Sequence, residues 1–222
     1  MQPKKSLEVL CDFDGTIIND DIGFQIMQTF AGEGWWEIEE AYQRGEKGSR
    51  EAMTEIFQLI SVSEKELQQF VDDNFFLDPY FPAFLAFCRR HEIKVTVVSD
   101  GFDWYIERIF AKYNINLPYV ANKLQVVKGR LQAAFPYQSS TCGKCGNCKL
   151  EFANKVKQKG NSLIYIGDGY SDRCISKIAD FLFAKSYLAE FCQSHGLHFY
   201  AFTTFADILA ELNSLIKEEG KF

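Results

Sequence analysis

The stretch Leu7-Glu8-Val9-Leu10-Cys11-Asp12-Phe13-Asp14-Gly15-Thr16 begins with mostly apolar residues and ends with two aspartates and a glycine. Its apolar run predicts a short buried strand, and Gly15 predicts a turn directly after it. Asp12 and Asp14 are two residues apart, so on an extended backbone their side chains share one face. The stretch therefore predicts a buried strand that carries two carboxylates at its carboxyl end.

The rest of the chain divides into an all-helical block and a region in which strands and helices alternate. Apolar residues recur at three- and four-residue spacing from about residue 20 to residue 77, and Ser63-Glu64-Lys65-Glu66 predicts a capping box within that block. Alternating strands and helices after it indicate an open parallel sheet. The predicted strands are Ile93–Val98, a short one around Val120, Leu124–Val127, Ser162–Ile166 and Phe181–Ala184; the predicted helices are Phe102–Tyr113, residues 150–158, Asp172–Ile178 and Phe205–Lys217.

We therefore expect an α/β fold with a Rossmann-like parallel sheet core and an inserted helical cap. Residues 1–17 and 78–222 are expected to form the core domain. Residues 18–77 are expected to form the cap domain. A turn at Lys128-Gly129 predicts a hairpin at one side of the core.

Composition excludes several classes of protein. Among the 222 residues, 47% are apolar and the net charge is −6, which suits a folded domain and makes nucleic acid an unexpected partner. No apolar run approaches the ~20 residues that span a bilayer, and the N-terminal pattern is not that of a signal peptide. Seven cysteines, an odd number, favour reduced thiols in the cytoplasm over a disulfide scaffold.

Three predicted strands end in polar tips that contain glycine: Asp12–Thr16, Ser99–Gly101 and Gly167–Asp172. In an open parallel sheet, sites form at the carboxyl ends of the strands, so these tips are expected to converge. The carboxylates of Asp12, Asp14, Asp168 and Asp172 would repel one another there unless a hard cation neutralised them. Oxygen ligands of this kind favour Mg²⁺.

Such a site suits phosphoryl transfer. One carboxylate can attack phosphorus to form an acyl phosphate, and a second can protonate the leaving oxygen and then activate water. Ser99 and the backbone N–H groups around Gly101 would donate to the transferred group. Lys149 begins a predicted helix that leads to the third tip, and its ammonium would supply the cation on the phosphoryl side.

The segments Asp12–Thr16, Ser99, Lys149 and Gly167–Asp172 occur in the order of the four motifs of the haloacid dehalogenase superfamily. The chain resembles that superfamily over nearly its whole length. The helical block between the first two motifs is similar to that of the C1-capped, phosphoserine phosphatase-like group. Cys11, the segment Phe30–Trp36 and the cysteine-rich stretch before Lys149 most resemble the methionine-salvage phosphatases, which act on 2-hydroxy-3-keto-5-methylthiopentenyl-1-phosphate.

This resemblance implies a role for each motif residue. Asp12 would be the nucleophile and Asp14 the general acid and base. Asp12, the carbonyl of Asp14 and Asp168 would bind Mg²⁺, and Asp172 would orient Lys149 or a metal-bound water. The metal site would thus comprise Asp12, Asp14, Asp168 and Asp172, and the substrate- and phosphate-binding residues would be Asp21, Ser99, Asp100, Gly101 and Lys149.

The chain departs from the phosphoserine phosphatase pattern at several positions. Thr54 stands where those enzymes carry an arginine for the substrate carboxylate, with Arg50 one helical turn away. Asp21 stands where a glutamate is usual. The second motif reads Ser-Asp-Gly where Ser-Gly-Gly is commoner. Asp100 could favour a cationic or neutral leaving group, or it could cap the helix Phe102–Tyr113, and we favour the helix cap.

Cys142, Cys145 and Cys148 lie at three-residue intervals just before Lys149. Tetrahedral zinc needs four ligands, whereas this stretch offers three cysteines and no histidine. A fourth ligand could come from elsewhere in the fold or from another subunit. A structural Zn²⁺ site, a redox-sensitive cluster and a tight turn without metal stay open, and the turn is favoured.

The predicted function is a cytoplasmic, Mg²⁺-dependent phosphomonoesterase for a small phosphorylated metabolite, with the methionine-salvage intermediate as candidate substrate. Enzymatic alternatives are a phosphatase for phosphoserine or phosphocholine-type substrates and a phosphotransferase. A non-enzymatic alternative is a metal or redox sensor that uses the Cys142–Cys148 stretch, against which the intact motif residues argue. The sequence does not distinguish a monomer from a homodimer.

Overall fold

The computed structural model describes residues 6–139 and 141–219, and a single sheet organises them. Its strands run in the order β4-β3-β2-β1-β5-β6-β7, and each neighbouring pair is parallel except the antiparallel pair β3–β4. The central position of the first strand confirms the predicted Rossmann-like sheet. The strands are β1 (Leu7–Cys11), β2 (Lys94–Phe102), β3 (Tyr119–Val127), β4 (Arg130–Ala134), β5 (Ser162–Gly167), β6 (Phe181–Ala184) and β7 (Tyr200–Ala201).

Helices occupy most of the remaining described residues. Five of them follow one another between β1 and β2, and the first four lie in the block predicted to be all-helical. The helices are α1 (Ile22–Phe30), α2 (Trp35–Gln43), α3 (Ser49–Gln58), α4 (Glu64–Asn74), α5 (Phe81–Arg90), α6 (Asp103–Lys112), α7 (Lys149–Gln158), α8 (Ser186–Ser194) and α9 (Phe205–Glu219). None of the helices in the described ranges is long and apolar enough to cross a membrane.

Both faces of the sheet are buried, which explains why β1 reads as an almost continuous apolar run. Val9 and Cys11 point into one hydrophobic cluster, to which α5 and α9 contribute phenylalanines and aliphatic residues. Leu10 points the other way, into a cluster formed with α7 and α8. The alternation expected of a strand thus places helices on both sides of the sheet.

Residues 18–77, here called the helical insert, begin and end next to each other. Ile18 and Leu77 form an antiparallel β-bridge there. Apolar residues of the insert, such as Ile22 and Leu67, belong to the same cluster as Val9 of the sheet. The division into a core domain (1–17 and 78–222) and a cap domain (18–77) therefore stays a prediction.

Several local patterns match their predictions. Ser63 and Glu66 form the capping box at the start of α4. Lys128 and Gly129, with φ values of 51° and 75°, form the turn of the β3–β4 hairpin. Positive φ at both positions is what a two-residue hairpin turn requires, and glycine tolerates it without strain.

Other elements differ from the predictions. The segment Asp172–Ile178 forms two 3₁₀ turns, Tyr170–Asp172 and Ile175–Lys177, instead of a helix. The Asp172 carboxylate accepts hydrogen bonds from the backbone N–H groups of residues 168 and 169, which favours a tight turn over an α-helical continuation. The two strands predicted near residues 120 and 124–127 are one strand, β3.

Helices α5 and α8 and the strand β7 were not predicted. The Phe81-Pro82 pair was interpreted as the end of the helical block, but proline stands in the first turn of α5. A proline there costs no hydrogen bond, because the first N–H groups of a helix have no partner within the helix.

The packing of α5 generates a stability prediction. Phe84 is fully buried, and its ring lies 5.0 Å from that of Phe205 and 6.0 Å from that of Phe81. We expect Phe84→Ala to lower the free energy of unfolding by about 3–5 kcal/mol, because it removes apolar contacts and leaves a cavity. Urea denaturation followed by circular dichroism measures this change.

The matched control is Phe76→Ala. The Phe76 side chain is 57% exposed, and the Lys112 ammonium lies 4.6 Å from its ring centroid. Only an exposed cation–π contact is lost, so a decrease of about 1 kcal/mol or less is expected. Equal losses for the two variants would contradict the core position of α5.

Candidate active site

A buried lysine joins two of the predicted aspartates. The Lys149 ammonium lies 2.6 Å from Oδ2 of Asp12 and 2.6 Å from Oδ1 of Asp172. Lys149 is 3% exposed, Asp12 5% and Asp172 0%. Burial alone would lower the pKa of Lys149, but the two carboxylates raise it above its ordinary value, so the lysine stays charged.

The strand ends bring three carboxylates together. Oxygen atoms of Asp12, Asp168 and Asp172, here called the carboxylate cluster, lie within 4.8 Å of one another. Asp172 also accepts hydrogen bonds from the backbone N–H groups of Asp168 and Gly169, at 3.0 and 2.9 Å. Thr16 donates to Asp168 at 2.6 Å. These contacts fix the orientation of the cluster.

The charge of the carboxylate cluster exceeds what one lysine can neutralise. Burial, followed by the charge of Asp172, raises the pKa of Asp168 to about 7. Burial, again followed by Asp172, also raises the pKa of Asp12, and Lys149 opposes that rise. A closely spaced, mostly buried set of carboxylate oxygens is a donor set that suits a hard divalent cation.

The side chain of Asp14 lies beside the carboxylate cluster but outside it. Its Oδ1 accepts from the backbone N–H of Ile22 at 3.0 Å, and its Oδ2 accepts from the Tyr105 hydroxyl at 2.8 Å. Ser99 lies at 3.5 Å from the same Oδ2, and its Oγ accepts from the N–H of Gly101 at 2.9 Å. Burial, followed by the charge of Asp21, raises the pKa of Asp14 well above its ordinary value.

These residues form the floor of a cavity of about 380 Å³ between the sheet and the helical insert. Asp21 caps α1, where its carboxylate accepts from the N–H of Phe24 at 2.8 Å, and it lines the cavity. Apolar residues of α1 and α3 form much of the wall. The structure thus brings the predicted residues Asp12, Asp14, Asp21, Ser99, Asp100, Gly101 and Asp168 to one cavity, with Lys149 and Asp172 directly behind its floor.

The expectation that Asp100 caps the helix at Phe102–Tyr113 is wrong. The strand β2 continues to Phe102, which is itself the N-cap of α6 and makes no side-chain cap hydrogen bond. The Asp100 carboxylate instead accepts from the Ser49 hydroxyl at 2.6 Å and from the N–H of Asn147 at 2.7 Å. It therefore links the start of α3 to the segment that precedes Lys149.

Residues 142–148, here called the cysteine loop, pack against the start of α3. The N–H of Gly146 donates to Ser49 Oγ at 3.0 Å, and the Asn147 side chain donates to the carbonyls of Ser99 and Val120. A Cβ at Gly48 would lie 2.2 Å from the carbonyl oxygen of Lys144, so only glycine fits this approach. The loop thereby fixes where α7, and hence Lys149, begins.

The proposed Zn²⁺ at Cys142, Cys145 and Cys148 finds no support. Sulfur atoms of the first two lie 3.8 Å apart, but among the described residues the three cysteines do not form a group close enough to hold one ion. Cys142 is exposed, whereas Cys148 is buried at the N-cap of α7. All seven cysteines are free thiols.

The position of Arg50 shows whether it replaces the arginine that phosphoserine phosphatases carry at the position of Thr54. The Arg50 guanidinium lies at the surface, where it donates to Gln138 and, at 3.3 Å, to the carbonyl of Gly143. Thr54 is also exposed, and its hydroxyl donates to the carbonyl of Arg50. Neither residue lines the cavity.

Sequence reasoning missed several residues that hold the site together: Thr16, Ser49, Tyr105, Asn147 and Tyr165. Tyr165 donates to Asp172, and Tyr105 to Asp14. Thr16 belongs to the first motif segment but was given no role, and Asn147 lies two residues before Lys149; these positions were the available signal. Ser49 and the two tyrosines reach the site from other elements, and no local pattern distinguishes them from ordinary helix or strand residues.

Comparison with known proteins gives consistent results. A family model described as haloacid dehalogenase-like hydrolase matches residues 9–177. Two curated relatives are both named 2-hydroxy-3-keto-5-methylthiopentenyl-1-phosphate phosphatase. The one from Exiguobacterium sibiricum is 28% identical over 219 residues and covers 94% of this chain and 97% of its own. The one from Bacillus mycoides is 29% identical over 215 residues and covers 96% and 98%.

Solved structures share the fold. A probable phosphoserine phosphatase from Vibrio cholerae superposes with a TM-score of 0.73 at 18% identity, covering 99% of this chain and 68% of that one. A phospho-aspartyl intermediate analogue of phosphoserine phosphatase gives 0.69 at 19% identity, covering 94% and 99%. These likenesses confirm the predicted α/β fold.

The ion pairs of Lys149 generate a stability prediction. We expect Lys149→Met to lower the free energy of unfolding by about 3–5 kcal/mol, because the buried carboxylates of Asp12 and Asp172 lose their partner. Urea denaturation in the presence of a chelator measures the change without interference from divalent cations.

Lys155→Met is the matched control on the same helix. Lys155 is exposed, and its ammonium lies 4.7 Å from the Phe152 ring centroid. Its loss is expected to cost about 1 kcal/mol or less. A Lys149→Met protein as stable as this control would show that the buried ion pairs contribute nothing to folding.

Proposed function

Since the chain belongs to the haloacid dehalogenase-like hydrolase family, we propose that it is a phosphomonoesterase that forms an aspartyl-phosphate. The arrangement that carries this proposal is Asp12 at the floor of the cavity, paired with Lys149 and 4.8 Å or less from Asp168. A carboxylate nucleophile, a fixed cation and a metal-binding carboxylate are the parts that this chemistry requires.

In the proposed first step, an Asp12 carboxylate oxygen attacks phosphorus and the bond from phosphorus to the leaving oxygen breaks. Asp14 gives its proton to that oxygen, so the alcohol leaves neutral. Burial raises the pKa of Asp14, which favours the protonated form that this step requires, and the Tyr105 and Ile22 hydrogen bonds orient its carboxyl group.

In the second step, Asp14 takes a proton from water as the water oxygen attacks the aspartyl-phosphate. The bond from phosphorus to Asp12 then breaks, and inorganic phosphate and the free Asp12 carboxylate are restored. Lys149 offsets the negative charge on the phosphoryl oxygens throughout, and Ser99 and the N–H groups near Gly101 donate to them.

We propose Mg²⁺ as the resident cation, held by Asp12, Asp168 and the carbonyl of Asp14. Asp172 would orient Lys149, as its 2.6 Å contact supports, or a metal-bound water. When bound, Mg²⁺ neutralises charge on the carboxylate cluster and on the phosphoryl group, which would otherwise repel each other.

The substrate is proposed to be a small phosphorylated metabolite, with 2-hydroxy-3-keto-5-methylthiopentenyl-1-phosphate as the candidate that the names of the curated relatives support. A cavity of about 380 Å³ suits a molecule of that size. The odd number of cysteines, seven, supports a reducing, cytoplasmic location. Activity as a monomer or as a homodimer is compatible with this proposal.

The central test is Asp12→Asn. Loss of the nucleophile is expected to lower kcat/KM for p-nitrophenyl phosphate by on the order of 10³-fold or more, as in other enzymes that lose theirs. The acid-stable label that the wild-type protein retains after brief reaction with a ³²P-labelled substrate should also disappear. Asp20→Asn, which changes an exposed aspartate nearby, is the control. Retained activity in Asp12→Asn would overturn the mechanism.

A phosphotransferase would form the same intermediate and pass the phosphoryl group to an alcohol instead of water. The measurement that separates the two compares the release of inorganic phosphate with and without added alcohols. A phosphatase releases phosphate at a rate that the alcohols leave nearly unchanged, whereas a transferase converts them to phosphomonoesters.

A second prediction concerns Mg²⁺ itself and does not depend on activity. At about 100 times its dissociation constant, Mg²⁺ is expected to raise the free energy of unfolding by about 2.7 kcal/mol, because it binds only the folded state. Asp168→Asn should lose most of this increase, and Asp73→Asn, at an exposed position of α4, should retain it. Thermal unfolding with and without Mg²⁺ checks the difference, and an unchanged increase in Asp168→Asn would exclude Asp168 as a ligand.

A further inference from the structure

The part of the cavity beyond the proposed phosphoryl site carries three more carboxylates. Asp21 comes from the N-cap of α1, Glu39 from α2 and Asp100 from β2. All three line the same cavity, and no lysine, arginine or histidine in the described ranges lines it with them. The proposed mechanism uses none of these three groups to move a proton or a phosphoryl group.

Each of these carboxylates lacks an ion-pair partner within the described residues. Glu39 is buried and accepts one hydrogen bond, from the Gln43 side chain at 3.0 Å. Asp21 accepts from the N–H of Phe24, and Asp100 from Ser49, Asn147 and Asn122. All of these donors are neutral. They orient the three carboxylates without cancelling their charge.

Three cations close to the cavity-lining elements have other partners. Lys149 is held between Asp12 and Asp172 behind the floor. Lys47 pairs with Glu51 and Glu55 at 2.8 and 2.6 Å, and Arg50 lies at the surface against Gln138 and Gly143. None of these three cations is free to accept a second anionic group of a substrate.

The surrounding wall strengthens the effect of these charges. Phe24, Met27, Met53, Ile56 and Phe57 line the same space. Charges interact more strongly beside apolar side chains than in water, because the local dielectric constant is lower. Burial raises the pKa values of Glu39 and Asp100, because a carboxylate is less well solvated there than in water.

We propose that this cavity selects phosphomonoesters whose alcohol carries no anionic group, and that Glu39 is a specificity-determining residue for that selection. The inference rests on the proposed phosphatase function and specifies its substrate class. A carboxylate on the leaving alcohol would lie among Asp21, Glu39 and Asp100 with no cation to receive it. An uncharged or cationic alcohol meets no such repulsion.

The selection separates the two kinds of substrate named by the similar proteins. Phosphoserine carries a carboxylate on its alcohol. The intermediate 2-hydroxy-3-keto-5-methylthiopentenyl-1-phosphate carries hydroxyl, keto and thioether groups and no anion besides its phosphate. This chain is thus expected to prefer substrates of the second kind.

The test compares two substrates of one size and shape, 3-phosphooxypropanamide and 3-phosphooxypropanoate, with the full chain and Mg²⁺. Replacement of the carboxamide by the carboxylate adds one negative charge to the alcohol. The ratio of kcat/KM for the amide to that for the acid is expected to be about tenfold or more for the wild-type protein. A ratio near one, or below it, would overturn the inference.

Glu39→Gln removes one charge from the cavity and nearly preserves shape. It is expected to lower the amide-to-acid ratio by about threefold or more, since the acid meets less repulsion. Glu37→Gln removes the same charge from an exposed position of the same helix, and its ratio should equal that of the wild-type protein. An unchanged ratio in Glu39→Gln would overturn the assignment of Glu39.

Hydrolysis of p-nitrophenyl phosphate distinguishes failure of the inference from failure of the proposed function. Activity on that ester without preference for the amide refutes the selection and leaves the phosphatase function in place. Absence of activity on every phosphomonoester, with Mg²⁺ present, refutes the phosphatase function and the inference together. The amide-to-acid ratio of the wild-type protein tests the selection without requiring any variant to fold.

Discussion

The pairing of one buried ammonium with two buried carboxylates is the constraint on which the rest of the structure depends. Asp12 follows β1 and Asp172 follows β5, so the parallel pairing of these strands brings two negative charges together inside the protein. Buried charges of one sign destabilise a fold unless a partner compensates them. Lys149 is that partner, and its ammonium can serve only if α7 begins at one particular place.

Hydrogen bonds from the cysteine loop satisfy that requirement. Gly146 and Asn147 donate to Ser49 and Asp100, so the segment before Lys149 is tied both to the helical insert and to the strand β2. The carboxylate of Asp100 thus has a structural task, and it also contributes negative charge to the cavity wall. The Asp100 carboxylate therefore helps to position Lys149 and also adds to the negative charge of the cavity.

Prediction from the sequence succeeded where the signal was local. Asp12, Asp14 and Asp168 could be placed together because strand ends of a parallel sheet share one edge. Asp100 was misassigned because its partners, Ser49 and Asn147, are 51 and 47 positions away in the chain. The partners of Tyr105 and Arg50 are also distant in the sequence, so the contact of Tyr105 with the site and the orientation of Arg50 were not predicted. Pro82 was interpreted as the end of a helix, although proline is tolerated in the first turn of a helix and disrupts only its interior.

The β-bridge between Ile18 and Leu77 has an evolutionary consequence. Because the two ends of the helical insert are paired with each other, the intervening segment can change in length or sequence while the strands of the sheet keep their register. Glu39 belongs to that segment, whereas Asp12 and Lys149 do not. The insert thus encodes part of the proposed substrate preference apart from the proposed reaction chemistry, whereas Asp100 on β2 lies beside the motif residues. Selection can act on the insert without disturbing those motif residues.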